Sequence, residues 1–142
     1  ALSHTLAEPV ALSISHRIRR HVEAWACTAS AEVDFVCTGD VGLMTDEEAH
    51  HVLRLIQEAL GNALKHADPE RVCISLSHDE GRVRVAVVDD GNGVGQKRGV
   101  GLGMRSMRRR AKLLGSRLEI ETGTAGTGVS VVFAPAAAIQ AT

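Results

Sequence analysis

Two neighbouring segments of alternating apolar and polar residues constrain the fold of this 142-residue chain. In residues 71–77 and 82–88, every second residue is apolar, which is the period of a strand with one buried face. The apolar positions are Val72, Ile74, Leu76, Val83, Val85 and Val87. Because only four residues separate the segments and the last is Gly81, they predict an antiparallel hairpin. A sheet with one apolar face needs a second layer to cover it, and helices can supply that layer.

The segment that begins at Thr45 has the period of a long amphipathic helix. Thr45 and Glu48 have the spacing of a capping box. The helix should end near His66, since Pro69 follows and disfavours helical backbone at the residue before it. The predicted buried stripe consists of Ala49, Val52, Leu53, Ile56, Ala59, Leu60, Ala63 and Leu64.

The rest of the chain contains two more helices and three more strands. Apolar spacing from Val10 to Trp25 predicts the first helix, and alternation over residues 31–38 predicts a strand. A helix from Met104 should end at Gly115, on a glycine suited to a helix C-terminus. Segments 117–122 and 127–133, joined by a glycine-containing turn, predict a second hairpin.

This order of elements predicts a two-layer α/β sandwich, with a mixed five-stranded sheet and about three helices over one face. By length we expect a single domain, 1–142. Its core should cover about 31–135, and the ends 1–8 and 136–142 should be loose.

Composition narrows the class of protein. The formal net charge is −1 and there is no tyrosine, so we expect no nucleic-acid partner. No apolar run approaches the roughly 20 residues that span a bilayer, so we expect no direct membrane contact. Three cysteines without CxxC spacing fit a reducing compartment, and we expect a cytoplasmic, monomeric domain whose parent protein could still be membrane-anchored.

The end of the long helix carries a polar group. Glu58, Asn62, Lys65 and His66 have spacings that would place them on one side of an α-helix. Magnesium prefers oxygen ligands, so Asn62 could bind the ion, Lys65 could pair with phosphate and Glu58 could orient or deprotonate a water. The same residues also fit an ordinary solvated helix face. A glycine destabilises a helix interior, so its presence at position 61 indicates another use, namely the close approach of a ligand or another backbone.

A second polar group lies where the strand 82–88 ends. Asp89 would be partly buried there, and a buried carboxylate needs a partner, for which the exocyclic amine of adenine is suitable. Gly91 and Gly93 would permit tight turning and a close backbone approach. A flexible surface loop is the alternative interpretation of these glycines.

Further along the same loop, the residues suit phosphate. Gly99, Gly101 and Gly103 precede the helix at Met104, and successive backbone N–H groups at a helix N-terminus form an anion site. Lys97 and Arg98 lie mid-loop, from where they could reach a terminal phosphate.

The order of these motifs closely resembles the Bergerat-fold ATPases, the superfamily of gyrase, Hsp90, the sensor histidine kinases and the mismatch-repair MutL proteins. The resemblance covers about residues 31–135. Segment 58–65 is similar to its N box, 89–93 to its first glycine box, 99–103 to its second, and 126–129 to its closing strand. Residues 101–111 look most like bacterial two-component sensor histidine kinases.

The resemblance implies a binding mode for ATP and Mg²⁺. Asp89 would accept the adenine amine, with Thr127 supporting it through an ordered water. Asn62 would ligate the metal, Lys65 and the backbone of 101–103 would hold phosphates, and Glu58 would lie near the γ-phosphate. The full expected site is Glu58, Asn62, Lys65, His66, Asp89, Gly91, Gly93, Val94, Lys97, Arg98, Gly101, Leu102, Gly103, Met104 and Thr127.

The resemblance also implies an activity. Such kinases donate the γ-phosphate of ATP to a histidine on a separate dimerisation domain, and a response regulator acts downstream. This chain has no room for that helical domain, so we expect the ATP-binding catalytic domain alone, without the phosphoacceptor histidine. Two alternatives stay open: an anti-sigma-factor serine kinase of the same fold, and a nucleotide-binding module without transfer activity.

Overall fold

The computed structural model describes residues 13–91 and 102–137, except for the side chains of Leu102 and Gly103. The elements in these ranges are three α-helices, a 3₁₀ turn, a π-helical turn and five strands. In chain order they are α1 (Ile14–Cys27), β1 (Glu32–Thr38), the 3₁₀ turn (Val41–Leu43), α2 (Asp46–Asn62), the π-helical turn (Ala63–Ala67), β2 (Arg71–Asp79), β3 (Arg82–Asp89), α3 (Leu102–Leu113), β4 (Glu119–Gly123) and β5 (Gly126–Phe133).

The five strands form one mixed sheet in the order β1-β2-β3-β5-β4. Strand β1 pairs with β2 in parallel, and the connection between them carries α2. The other pairs are antiparallel, including both predicted hairpins, β2–β3 and β4–β5. The two-layer α/β prediction is therefore confirmed, with strand ends that differ from the predicted ones by one or two residues.

One face of the sheet forms the core with the helices. Val72, Ile74 and Leu76 of β2 are fully buried, and they belong to the same apolar cluster as Ile56 of α2 and Met107 of α3. The opposite face is open: Val36, Val88 and Val132 are 49%, 50% and 37% exposed. The sheet thus buries the face that alternation predicted and leaves the other face bare.

Helix α2 begins as predicted and ends differently. Both bonds of the capping box are present, from Thr45 N–H to Glu48 at 2.9 Å and from Glu48 N–H to the Thr45 hydroxyl at 3.0 Å. The predicted α-helix to His66 is wrong beyond Asn62, because a π-helical turn continues to Ala67. This wider turn carries Ala67 into the core, where it is fully buried.

The predicted buried stripe of α2 also needs correction. Leu53 and Leu64 are only partly buried, whereas Leu55, which the prediction left out, is 3% exposed. Leu55 lies against the sheet beside Val85, while Leu53 lies beside α1. The buried face is wider than one stripe because α2 packs against the sheet and against two other helices.

Helix α3 ends at the predicted glycine. Gly115 has a φ of 78°, and Ser116 N–H donates to Ala111 O at 2.9 Å in the pattern of a Schellman motif. Beyond β5, Pro135 is buried and Ala136 N–H donates to the Glu48 carboxylate at 2.9 Å. No helix within the described ranges is long and apolar enough to cross a membrane.

Candidate nucleotide-binding site

One residue from each of the two predicted polar groups, Asn62 and Asp89, lines the same small cavity, which has a volume of about 10 Å³. Asn62 reaches it from the end of α2, Asp89 from the end of β3, Met104 from α3 and Thr127 from β5. Its apolar lining comes from Ala59, Ala63, Val87, Met107 and Val129. Mostly apolar walls with a few convergent polar groups are the type of lining that small-molecule binding sites have.

Asp89 supplies a buried carboxylate at this cavity. The residue is 6% exposed, and its Oδ1 accepts the Gly91 N–H at 2.8 Å. Among the described residues that is the only hydrogen bond to the carboxylate, and no described cationic side chain pairs with it. A buried carboxylate with unused accepting capacity favours a ligand that donates hydrogen bonds.

The position of Asp89 follows from the sheet register. It is the last residue of β3 and lies opposite Val72 of β2 and Thr127 of β5. Thr127 is 3% exposed, and its hydroxyl lies 3.0 Å from the hydroxyl of Thr122. The buried hydroxyl and carboxylate are therefore neighbours on adjacent strands.

Gly91 links the Asp89 segment to the π-helical turn. A Cβ at Gly91 would overlap the backbone of Ala67, so the predicted close backbone approach is made to the protein itself. Asp90, which the sequence analysis did not single out, accepts the N–H groups of Glu70 and Arg71 at 2.9 and 3.0 Å. The Arg71 N–H above all lowers the pKa of the Asp90 carboxyl below its ordinary value. These contacts fix the end of β3 against the start of β2.

Asn62 is the last residue of α2 before the π-helical turn. Its Nδ2 is buried and has no hydrogen-bond partner among the described residues. An amide in this state at a cavity wall fits a polar ligand, and its oxygen is a donor atom that Mg²⁺ accepts. Lys65 and His66 follow on the π-helical turn, and both are exposed.

Glu58 does not line this cavity. Its Oε2 accepts the Ser106 hydroxyl at 2.7 Å, and its Oε1 lies 3.6 Å from Nε of Arg110. Arg110 belongs to a run of three arginines on α3 and is turned inward toward α2, where its Nη1 also lies 3.2 Å from Nδ1 of His51. Glu58 therefore connects two helices.

The structure brings together four of the predicted site residues, Asn62, Asp89, Met104 and Thr127, with Gly91 beside them. Leu102 and Gly103 begin α3, and their side chains lie outside the description. The remaining predicted residues, Gly93, Val94, Lys97, Arg98 and Gly101, lie outside the described residues. The apolar lining was missed as a site, although most of it was predicted as core. Ser106 and Arg110 gave no sequence signal that connects them to Glu58.

Residues 47–138, well over half of the chain, match the family described as histidine kinase-, DNA gyrase B-, and HSP90-like ATPases. The chain therefore belongs to this family. Relatives include the sensor histidine kinase YhcY of Bacillus subtilis, 33% identical over 63% of this chain, and the nitrate/nitrite sensor protein NarX of Escherichia coli, 36% identical over 66%. The chain spans only 24% and 16% of the lengths of these two proteins.

Solved structures agree with this assignment. The histidine kinase domain of a blue-light activated histidine kinase from Erythrobacter litoralis is similar with a TM-score of 0.68 and 27% identity, over 85% of this chain and 64% of that one. The histidine kinase AdeS of Acinetobacter baumannii shares the fold, with a TM-score of 0.64 at 11% identity, over 87% of this chain and 64% of that one.

Proposed function

We propose that this chain is the ATP-binding catalytic domain of a sensor histidine kinase. It binds ATP with Mg²⁺ and presents the γ-phosphate to a histidine on the dimerisation domain of the same kinase, from which a response regulator receives it. The similarity to parts of sensor histidine kinases supports this function. The parent protein is a cytoplasmic or membrane-anchored kinase whose catalytic domain faces the cytoplasm.

One observation carries the proposal: the same cavity is lined by a buried carboxylate and by an amide whose buried nitrogen has no hydrogen-bond partner among the described residues. Asp89 accepts the adenine amine, and Thr127 supports it from the neighbouring strand. Asn62 holds Mg²⁺, which when bound neutralises phosphate charge. Lys65, His66 and the residues 93–103 predicted for phosphate contact complete the site. Phosphoryl transfer needs positioning and charge stabilisation more than covalent chemistry from the protein.

The role of Asp89 is tested by Asp89→Asn. The asparagine Oδ1 can still accept the Gly91 N–H, so the fold should persist, whereas its amide N–H₂ meets the adenine amine donor to donor. We expect affinity for a non-hydrolysable ATP analogue, measured by calorimetry with Mg²⁺, to fall about 100-fold or more, as for a lost hydrogen bond with an unpaired buried partner. Asp34→Asn, on the exposed side of β1, is the matched control. Unchanged affinity in Asp89→Asn would contradict the assigned role.

The role of Asn62 is tested by the dependence of binding on magnesium. Asn62→Ala removes an oxygen ligand, so we expect affinity for the analogue to fall more with Mg²⁺ than with a chelator present. Calorimetry under both conditions gives the two ratios. Equal losses would remove Asn62 from the metal site and leave it a role in packing alone.

A further inference from the structure

We propose that Glu58 is a positioning residue that, with Ser106 and Arg110, sets the start of α3 relative to Asn62. The inference deepens the proposed function and rests on it, because its consequence is observed in nucleotide binding. It gives Glu58 a role that acts through α3, in addition to the predicted role on a water beside the γ-phosphate.

The contacts of the Glu58 carboxylate all run to α3. One oxygen accepts the Ser106 hydroxyl at 2.7 Å, and the other lies 3.6 Å from the Arg110 guanidinium. The side chains of Glu58 and Arg110 are only 22% and 19% exposed. Removing one member of a largely buried ion pair leaves the other charge uncompensated, so the pair resists separation of the two helices.

The spacing along each helix connects this pair to the site. Glu58 lies one turn before Asn62 on α2, and Ser106 lies one turn after Leu102, where α3 begins. The bond between Glu58 and Ser106 therefore joins the last turn of α2 to the first turns of α3. Asn62 is the predicted metal ligand, and α3 follows the glycines predicted to bind phosphate.

The surroundings hold the pair in one arrangement. The Arg110 guanidinium also lies 3.2 Å from Nδ1 of His51. Two residues of α2, Glu58 and His51, therefore contact the same guanidinium. Met107 follows Ser106 on α3 and Ala111 follows Arg110, and both Met107 and Ala111 are fully buried. Apolar packing on one side of α3 and these polar contacts on the other both oppose rotation or sliding of the helix.

The described contacts of Glu58 lie outside the Asn62–Asp89 cavity, which is the site that we propose for adenine. Its Oε2 accepts the Ser106 hydroxyl, whereas its Oε1 has no hydrogen-bond partner among the described residues and lies in an ion pair with Arg110 at 3.6 Å. A positioning role uses every contact that the carboxylate makes.

The experiment compares two ligands across three variants. Affinities of the wild type, Glu58→Ala, Glu58→Gln and Ser106→Ala are measured for a non-hydrolysable ATP analogue with Mg²⁺ and for adenosine, by calorimetry and NMR titration. Arg17→Gln, which removes the exposed ion pair of Arg17 with Asp46 at 3.2 Å, is the control, and circular dichroism checks that each variant is folded.

We expect Glu58→Ala and Ser106→Ala to weaken binding of the triphosphate more than binding of adenosine, with about a tenfold loss of triphosphate affinity for Glu58→Ala. The start of α3 adjoins the predicted phosphate contacts, whereas α3 contributes only Met104 and Met107 to the cavity proposed for adenine. Glu58→Gln should lose less than Glu58→Ala, since its amide oxygen still accepts the Ser106 hydroxyl. If Glu58→Ala does not fold, Ser106→Ala decides.

Two results would overturn the inference: unchanged triphosphate affinity in the folded variants, or equal losses for both ligands. A wild-type protein that binds neither ligand would instead contradict the proposed function. The wild-type measurement therefore tests the proposed function separately from the role of Glu58.

Discussion

The surroundings of Asp89 depend on glycines that the sequence marked only as turn residues. Gly126 has a φ of 133°, and a Cβ there would overlap the carbonyl oxygen of Asp89 on the neighbouring strand. The glycine therefore lets β5 pair with the end of β3, where the carboxylate and Thr127 must lie side by side.

Gly126→Ala should consequently be costly. The strained φ and the overlap with the Asp89 backbone together should destabilise the fold by about 2 kcal/mol or more. Urea unfolding measures this loss. Gly123→Ala at the end of β4 is the matched control, since a Cβ at Gly123 meets nothing within 4 Å. Equal stabilities of the two variants would show that the Gly126 backbone is not constrained as described.

Among single residues, His51 should make the stability of the fold depend on pH. Burial, together with the positive charge of Arg110 and the neighbouring His50, lowers the pKa of His51, against the opposing effect of Glu47. Its Nδ1 lies 3.2 Å from Nη1 of Arg110 and accepts a hydrogen bond when the ring is neutral. Protonation therefore costs more in the folded chain than in the unfolded chain.

The sign of the effect on stability follows from that difference. Below the ordinary histidine pKa of about 6.5, the unfolded chain binds a proton at His51 more readily than the folded chain does. The contribution of neutral His51 to the free energy of unfolding is therefore full above pH 6.5 and is lost as the pH falls through the lowered pKa. His51→Gln should flatten this part of the profile in urea unfolding between pH 5 and 8, whereas the exposed His66→Gln should not. A profile with the same slope in His51→Gln and the wild type would contradict the assignment.

At the scale of elements, the sequence predicted those features that depend on alternation of apolar residues and on helix capping. Both hairpins, the capping box of α2 and the glycine end of α3 are local features, and each is present. The π-helical turn was not predictable, because its apolar residues Ala63 and Ala67 also fit an α-helical stripe. Its geometry depends on the contact of Ala67 with Gly91, residues distant in sequence.

Gly61 allows a test of whether α2 has a lower stability because of a residue needed for function. A Cβ at Gly61 would meet nothing within 4 Å among the described residues, so no described backbone requires a glycine there. Gly61→Ala should stabilise the ligand-free protein by about 0.5–1 kcal/mol in urea unfolding.

If the glycine serves the close approach of a ligand, the same Gly61→Ala change should weaken binding of the ATP analogue. A gain in stability without any loss of affinity would show that Gly61 has no part in the site. No gain in stability would show that the helix interior there is constrained by something other than propensity.

For the whole molecule, the fold places its site at one end of the core. Strands β3 and β5 lie side by side in the sheet, and α2 and α3 cover the face where Asp89 ends β3 and Thr127 lies near the start of β5. The sequence was sufficient to predict this layered arrangement, since the periodicities are clear and one sheet face is mostly apolar. It could not predict that Glu58 turns to Arg110, since that choice depends on how α2 and α3 pack.

The most direct test of the account is a crystal structure of the chain with Mg²⁺ and a non-hydrolysable ATP analogue. We predict the adenine amine within hydrogen-bond distance of the Asp89 carboxylate and the metal bound to the Asn62 amide oxygen, with Glu58 still joined to Ser106 and Arg110. A nucleotide bound elsewhere, or in the cavity with its purine away from Asp89, would contradict it.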